Sequence, residues 1–197
     1  MKNFPKIVED KKKIRQKILK IRQNLDFSKV QKKSKKMQQI LENSEFFKIS
    51  KNILFFFPVF GEPDFLNLAK KYLRQKRILF PRVIKNKFGK TKMEIAEIKN
   101  FADFSPGIFK ILVPKKEIVA EKFPENIDLF LVPAVAVDFF GNRIGMGGGF
   151  FDKFLSNLKG KKIATVFDFQ IFPKIPYETH DQKMDFILSE KGLVKAK

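Results

Sequence analysis

Between Ile127 and Pro133 the chain reads IDLFLVP, with four apolar side chains in unbroken succession from Leu129 to Val132. A strand with one wet face alternates apolar and polar residues. A strand apolar at every position has to be covered on both faces, the usual condition inside a parallel sheet with helices above and below. The rest of the pattern supplies the other parts of such a layered fold. KNILFFFPVF (residues 51–60) reads as a second buried strand stopped by Pro58, KRILFPRV and KMEIAEI as two more, and KKIATVF and KMDFILSE as the last two. Helical spacing covers Lys6 to Leu25, where Ile14, Ile18, Ile21 and Leu25 recur at intervals of four, three and four. A second helix is expected after Ser28, whose spacing to Gln31 suits a capping box, and runs to about Glu42. Further helices follow the turn GEPDF through Leu73 and occupy FDKFLSNL; between Asn100 and Glu125 no period stands out. Strands alternating with helices predict a single α/β domain over residues 1–197, three layers deep, with a largely parallel central sheet flanked by helices.

The formal charge of +20 raises the question of nucleic acid. Only six of the 41 cations are arginines and the lysines are spread along the chain, whereas proteins that read base sequence favour the bidentate arginine fork. We therefore expect no specific nucleic-acid partner, with a basic nucleic-acid-binding protein as the alternative reading, and a positive field suited to polyanionic small molecules. Cysteine is missing and His180 is the single histidine, which removes disulfides, thiol catalysis and multi-histidine metal sites. No apolar run is long enough to cross a bilayer, and the opening MKNFPKIVEDKKK lacks the apolar core of a secretion signal. A cytoplasmic protein without a membrane partner is expected.

Straight after the buried strand comes GNRIGMGGGFFDKFL (residues 141–155), which places five of the ten glycines within nine positions. Open α/β sheets bind their ligands beyond the carboxyl ends of strands. Glycines there admit positive φ and let main-chain N–H groups close around an anion. The dinucleotide pattern G-x-G-x-x-G, started at Gly145, meets Phe150 at its last glycine, and the G-x-x-x-x-G-K-[ST] loop has no match. Arg143 before the glycines and Asp152 after them offer a cation for phosphate and a carboxylate for its magnesium. On the first helix Lys11, Arg15 and Arg22 fall within about 40° of one another, at the rim of the apolar stripe, where long cations can lean into a cleft.

Taken in order, these residues resemble the 5-formyltetrahydrofolate cyclo-ligase (methenyltetrahydrofolate synthetase) family. Its signature is a proline-ended strand and then F-D-x-x-G-x-R-L-G-x-G-x-G-Y-Y-D. Within LVPAVAVDFFGNRIGMGGGFFDKFL it is matched by Asp138, Gly141, Arg143, Gly145, Gly147, Gly149 and Asp152. Lys11, Ile14 and Arg15 meet its K-x-x-[LI]-R pattern, and FFFPVFGEPDF, FPRV and TVFDFQIFPKIPYETHDQKMDFILSE match further segments. The resemblance extends over nearly the whole chain. It implies a ligase of folate one-carbon metabolism that uses ATP and Mg2+ to convert 5-formyltetrahydrofolate, polyglutamylated or not, to 5,10-methenyltetrahydrofolate, releasing ADP and phosphate. By position it assigns Lys11, Arg15 and Arg143 to catalysis and, with Gly145, Met146, Gly147, Gly148, Gly149, Phe150 and Phe151, to ATP. Phe57, Glu62, Met146, Gly147, Gly148, Gly149 and Phe150 go to the folate, and Asp152 and Asp185 to magnesium. Phe150 and Phe151 depart from the family's two tyrosines: ring stacking survives and the hydroxyl hydrogen bonds do not. His180 is expected beside the site rather than as a proton shuttle, and the protein is expected to act as a monomer. Another ATP-dependent enzyme on the same scaffold, working on a different small anion, is the second alternative.

Overall fold

A computed structural model describes residues 4–85, 88–107, 111–121, 124–156 and 158–197. In chain order the first elements are α1 (Phe4–Gln23), α2 (Phe27–Asn43), α3 (Glu45–Ile49), β1 (Asn52–Leu54), α4 (Leu66–Tyr72), β2 (Arg77–Lys85) and β3 (Thr91–Glu97). Next come β4 (Phe104–Pro106), β5 (Leu112–Pro114), β6 (Leu129–Pro133), β7 (Ala136–Asp138) and β8 (Arg143–Ile144). The chain closes with α5 (Phe150–Leu155), β9 (Lys161–Thr165), β10 (Ile171–Phe172), β11 (Phe186–Ser189) and β12 (Gly192–Lys195).

Seven strands form the central sheet in the order β12-β11-β9-β6-β1-β2-β3, and the five inner ones run parallel. The outer strands β12 and β3 pair antiparallel. β6 lies at the middle, with Leu129 to Val132 fully buried. Its side chains alternate between two cores. Leu129 and Leu131 pack with Ile53, Phe55 and Ile163 beneath Met37 and Leu41 of α2, Phe47 of α3 and Leu68 of α4. Phe130 and Val132 pack with Leu54, Leu79, Ala164 and Leu155 of α5 on the other face. The unbroken apolar run therefore serves two faces at once, and each such side chain contributes about 1.5–3 kcal/mol by leaving water. A charge at any of the four positions would be stranded in a core. This is the α/β layering that the sequence pattern predicts.

A third core sets Ile18 of α1 against Val135, Ala136, Ile144 and Ile175, around a small sheet of order β10-β7-β8. Because β7 leads on from β6, α1 comes to lie beside the carboxyl end of the central strand. Its apolar stripe is offset from expectation: Ile21 is 37% exposed, and Arg22 is 1% exposed in the inward position. The cap of α2 also differs. Asp26 rather than Ser28 accepts the first free N–H groups, those of Ser28 (2.7 Å) and Lys29 (3.3 Å). A carboxylate at the positive end of a helix is a strong cap, so the helix begins at Phe27. The strand expected over residues 51–60 is regular only from Asn52 to Leu54; Phe55 and Phe56 remain buried while the chain turns toward Pro58. Among the described residues no helix is long and apolar enough to cross a membrane.

Candidate active site

The chain leaving β1, the second half of β2 and the end of β6 open onto a cavity of about 890 Å³. One wall is the loop between β8 and α5. Gly147 there has φ +108°, a conformation that a side chain would strain. The Arg15 guanidinium lies over it, only 3.6 Å from where a Cβ of residue 147 would stand. Arg15 Nε donates to the Gly145 carbonyl at 2.9 Å, which fixes α1 against the loop. Burial lowers the pKa of Arg15 from its ordinary value, and a guanidinium still keeps its charge. Since α5 has only six residues, an anion held here would depend on the N–H groups of the loop more than on a helix dipole.

Arg143, 4% exposed, donates from Nη2 to the Asp152 carboxylate, and its Cζ sits 6.0 Å from the centre of the Phe151 ring. Its buried Nε has no hydrogen-bond partner among the described residues. Asp152 also accepts the Gln182 N–H at 3.2 Å. On the same cavity Lys11 is buried with Nζ between Glu178 (2.7 Å) and Asp181 (2.5 Å), carboxylates from the loop that links β10 to β11. His180 is largely exposed, 4.0 Å and 3.9 Å from the same two carboxylates. One ligand atom from each of Glu178, His180 and Asp181 falls within 4.8 Å of the others. With Asp152 on the same cavity, this oxygen-rich donor set suits magnesium, which prefers carboxylates, phosphate oxygens and water.

The far end of the cavity is apolar apart from Glu62 and Arg82. Glu62 is 4% exposed; its Oε2 accepts the Val59 N–H at 3.1 Å and its Oε1 stands 3.3 Å from Arg22 Nη2. Burial pushes the Glu62 carboxyl above its ordinary pKa, against the pull of Arg22 and the Val59 N–H. Phe57 lines the wall edge-on to Phe104, ring centres 5.6 Å apart. Arg82 reaches the Lys115 carbonyl and stands 3.5 Å from Glu94, tying β2 to the segment after β5.

Lys11, Arg15, Phe57, Glu62, Arg143, Gly145 to Asp152 in sequence, Met146, Phe150 and Phe151 among them, all line this cavity. Asp185 does not. It is exposed, its carboxylate accepts the Lys162 N–H at 2.8 Å, and its own N–H donates to the Lys162 carbonyl at 2.8 Å. Lys162 lies near the start of β9 and Asp185 just precedes the parallel β11, so both sit at the amino ends of the strands, away from the cavity. The expected pairing of Asp152 with Asp185 is therefore not met: Asp181, four residues earlier, is the aspartate of that segment that shares the cavity with Asp152. Glu178 and Arg22 are also missing from the sequence assignment. Arg22 had a signal, its place in the row of cations with Lys11 and Arg15. Glu178 had none beyond its nearness to the H-D pair.

Comparison with known proteins agrees with this geometry. Residues 7–190 match the model of the 5-formyltetrahydrofolate cyclo-ligase family. A 5-formyltetrahydrofolate cyclo-ligase of Mycolicibacterium smegmatis is 43% identical over 70 residues, 34% of this chain and 36% of that protein. The mouse protein of the same name is 37% identical over 33% of this chain and 35% of its own length. These first curated relatives are thus matched over little more than a third of their length. The Haemophilus influenzae cyclo-ligase aligns more fully, at 27% identity over 80% of this chain and 84% of the relative. Among solved structures, the Aquifex aeolicus 5,10-methenyltetrahydrofolate synthetase superposes with a TM-score of 0.82 at 30% identity, covering 95% of this chain and 93% of that one. A Mycoplasma pneumoniae synthetase, 24% identical with a TM-score of 0.71 over 92% and 99% of the two chains, has the same fold. With the family's pattern matched along almost all its length and its cations, glycines and carboxylates gathered on one cavity, this chain belongs to the 5-formyltetrahydrofolate cyclo-ligase family.

Proposed function

We propose that this protein converts 5-formyltetrahydrofolate to 5,10-methenyltetrahydrofolate at the expense of ATP, in a Mg2+-dependent reaction. The observation that carries the reading is the convergence of Lys11, Arg15, Arg143, the glycine loop and Glu62 on one cavity with an apolar end and a charged end. A folate's ring system suits the apolar end, with Glu62 accepting pterin N–H groups. Triphosphate suits the cations and the loop. Magnesium would be held by Asp152 and Asp181, with Glu178 close by, and when bound supplies charge neutralisation to the phosphates.

The chemistry explains why these residue types suffice. N5 of the substrate delocalises into the formyl carbonyl, which makes the carbon a poor electrophile and the oxygen a fair nucleophile. The formyl oxygen attacks the γ-phosphorus; a new P–O bond forms as the bond to ADP breaks. N10 then adds to the formyl carbon and loses its proton, and the C–O bond breaks as phosphate leaves, closing the five-membered ring. The protein provides no nucleophile of its own, in keeping with a chain without cysteine. Its task is to hold two substrates in line and neutralise charge as phosphoryl moves. Arg15 and Arg143 are placed to do so, and Phe57, Phe150 and Phe151 shield the reacting atoms from water.

The test is direct. Purified protein with 5-formyltetrahydrofolate, ATP and Mg2+ should yield the methenyl species, whose extended conjugation absorbs in the near ultraviolet where the substrate does not. ADP and phosphate should appear in equal amounts with it, and leaving out ATP should stop it. A folded protein with both substrates saturating and no absorbance change would defeat the proposal.

A further inference from the structure

Arg22 lies near the end of α1, is 1% exposed, and does not line the cavity, whereas Glu62 does. Its Nε donates to the Phe60 carbonyl and its Nη2 to the Val59 carbonyl, both at 2.8 Å, and the same Nη2 stands 3.3 Å from Glu62 Oε1. Nη1 is buried with no partner among the described residues. The turn so gripped is an unusual one. Phe60 takes φ +49° and Gly61 φ +70°, and a Cβ on Gly61 would come within 2.9 Å of the Arg22 carbonyl.

Stability alone does not account for such an arrangement. Burying a guanidinium and a carboxylate roughly breaks even against apolar side chains of like volume, and an unsatisfied buried N–H is a further cost. An aliphatic residue would fill the same space between helix and turn without that cost, giving up the hydrogen bonds to the Val59 and Phe60 carbonyls. What an aliphatic residue would not do is orient a carboxylate.

We propose that Arg22 is the positioning residue for Glu62: it locks the turn from Val59 to Glu62 onto α1 and holds the carboxylate ready at the cavity wall. The inference rests on the reading that Glu62 receives the folate. Oε1 is oriented by Arg22 and Oε2 by the Val59 N–H, each with a lone pair left for a pterin donor. Arg15 and Arg22 are seven residues apart, about 10 Å along the axis. One helix thereby sets the distance between the groups that meet the nucleotide and the carboxylate that meets the folate.

To test this, Arg22→Met and Arg22→Lys are made in the wild-type chain and in Glu62→Ala. Methenyl formation gives kcat/KM for the folate and KM for ATP, while circular dichroism and Tm report folding. Arg22→Met should lower folate kcat/KM by about tenfold or more, with KM for ATP moving less than about twofold. Arg22→Lys should recover part of the loss, since it keeps the charge and not the fork. In Glu62→Ala, where no side-chain acceptor remains to be held, Arg22→Met should change folate kcat/KM by less than about twofold. Equal losses in both backgrounds, or a parallel rise in KM for ATP, would overturn the proposal and leave Arg22 a stiffener of the fold. If Arg22→Met does not fold, Arg22→Lys carries the comparison; if that too is unfolded in both backgrounds, the proposal is lost. A wild-type chain without turnover defeats the activity reading and this inference with it, and is told apart because it appears before any substitution is made.

Discussion

Asp181 and Asp185 lie four residues apart and end at opposite ends of the sheet, one paired with Lys11 in the cavity and one accepting the Lys162 N–H. Asp152→Asn and Asp181→Asn should each raise the Mg2+ concentration for half-maximal rate by about tenfold or more. Asp185→Asn should leave it unchanged, because an amide oxygen can still accept from Lys162. Rate measured against Mg2+ for the three variants decides this, and a Mg2+ defect in Asp152→Asn and Asp185→Asn but not in Asp181→Asn would restore the original pairing. The sequence offered the right residue type twice within one motif, but spacing alone does not say which carboxylate faces the strands' carboxyl ends. Glu62 makes a second prediction, this time on stability. Its carboxyl pKa is raised in the folded protein by burial, so the folded state holds the proton more tightly than the unfolded chain. The contribution is full below the unfolded value of about 4.3 and is lost as pH rises through the folded pKa. Glu62→Gln has no proton to lose, so its Tm relative to wild type should climb as pH is raised from 4 toward neutrality. Parallel Tm curves would show that Glu62 is not desolvated.

Among the elements, α1 was legible from its spacing, and what the spacing hid was which turn of it faces inward last. Ile21 and Arg22 are neighbours, and a hydrophobic count prefers the isoleucine; the carbonyls of Val59 and Phe60 reverse that choice by giving the guanidinium partners inside. The short strands β7, β8, β10 and β12 went unread for a different reason. They have two to four residues each, too few for a period of two to register. The placement of β7, β8 and β10 depends on Asp138, fully buried, whose carboxylate accepts the N–H groups of Phe140, Asn142 and Ile175. The glycine loop, by contrast, was legible because its composition is a backbone requirement. Gly147→Ala should strain the loop by roughly 1–3 kcal/mol through its positive φ and crowd Arg15. KM for ATP should rise about tenfold, while Tm, set by cores on the other elements, should fall by only a few degrees. Isothermal titration with a non-hydrolysable ATP analogue checks it; unchanged affinity would mean that the loop does not cradle the nucleotide.

Over the whole molecule, the layered sheet was legible from apolar runs, while the clustering of cations from α1 with carboxylates from the distant β10–β11 loop was not, since nothing local records it. The net charge of +20 acts at this scale. Exposed charges are felt over about 8 Å at physiological ionic strength, so added glutamates on the folate tail should lower KM at low salt and lose that advantage as salt rises. KM for mono- and polyglutamylated substrate, measured from low to high salt, tests the trend, and a salt-independent preference would point to specific tail contacts instead. Lys11 meets Glu178 and Asp181 across 167 and 170 positions of chain. During synthesis α1 therefore leaves the ribosome roughly 10–30 s before the loop that completes its surroundings, at usual translation rates of about 5–20 residues per second. Through that interval Lys11 has neither of its carboxylate partners and Ile18 has no Ile175 to lie against. A stalled product can carry β1, β2 and β6 and still have no finished pocket, so the proposed nucleotide binding has to wait until the loop between β10 and β11 has been made.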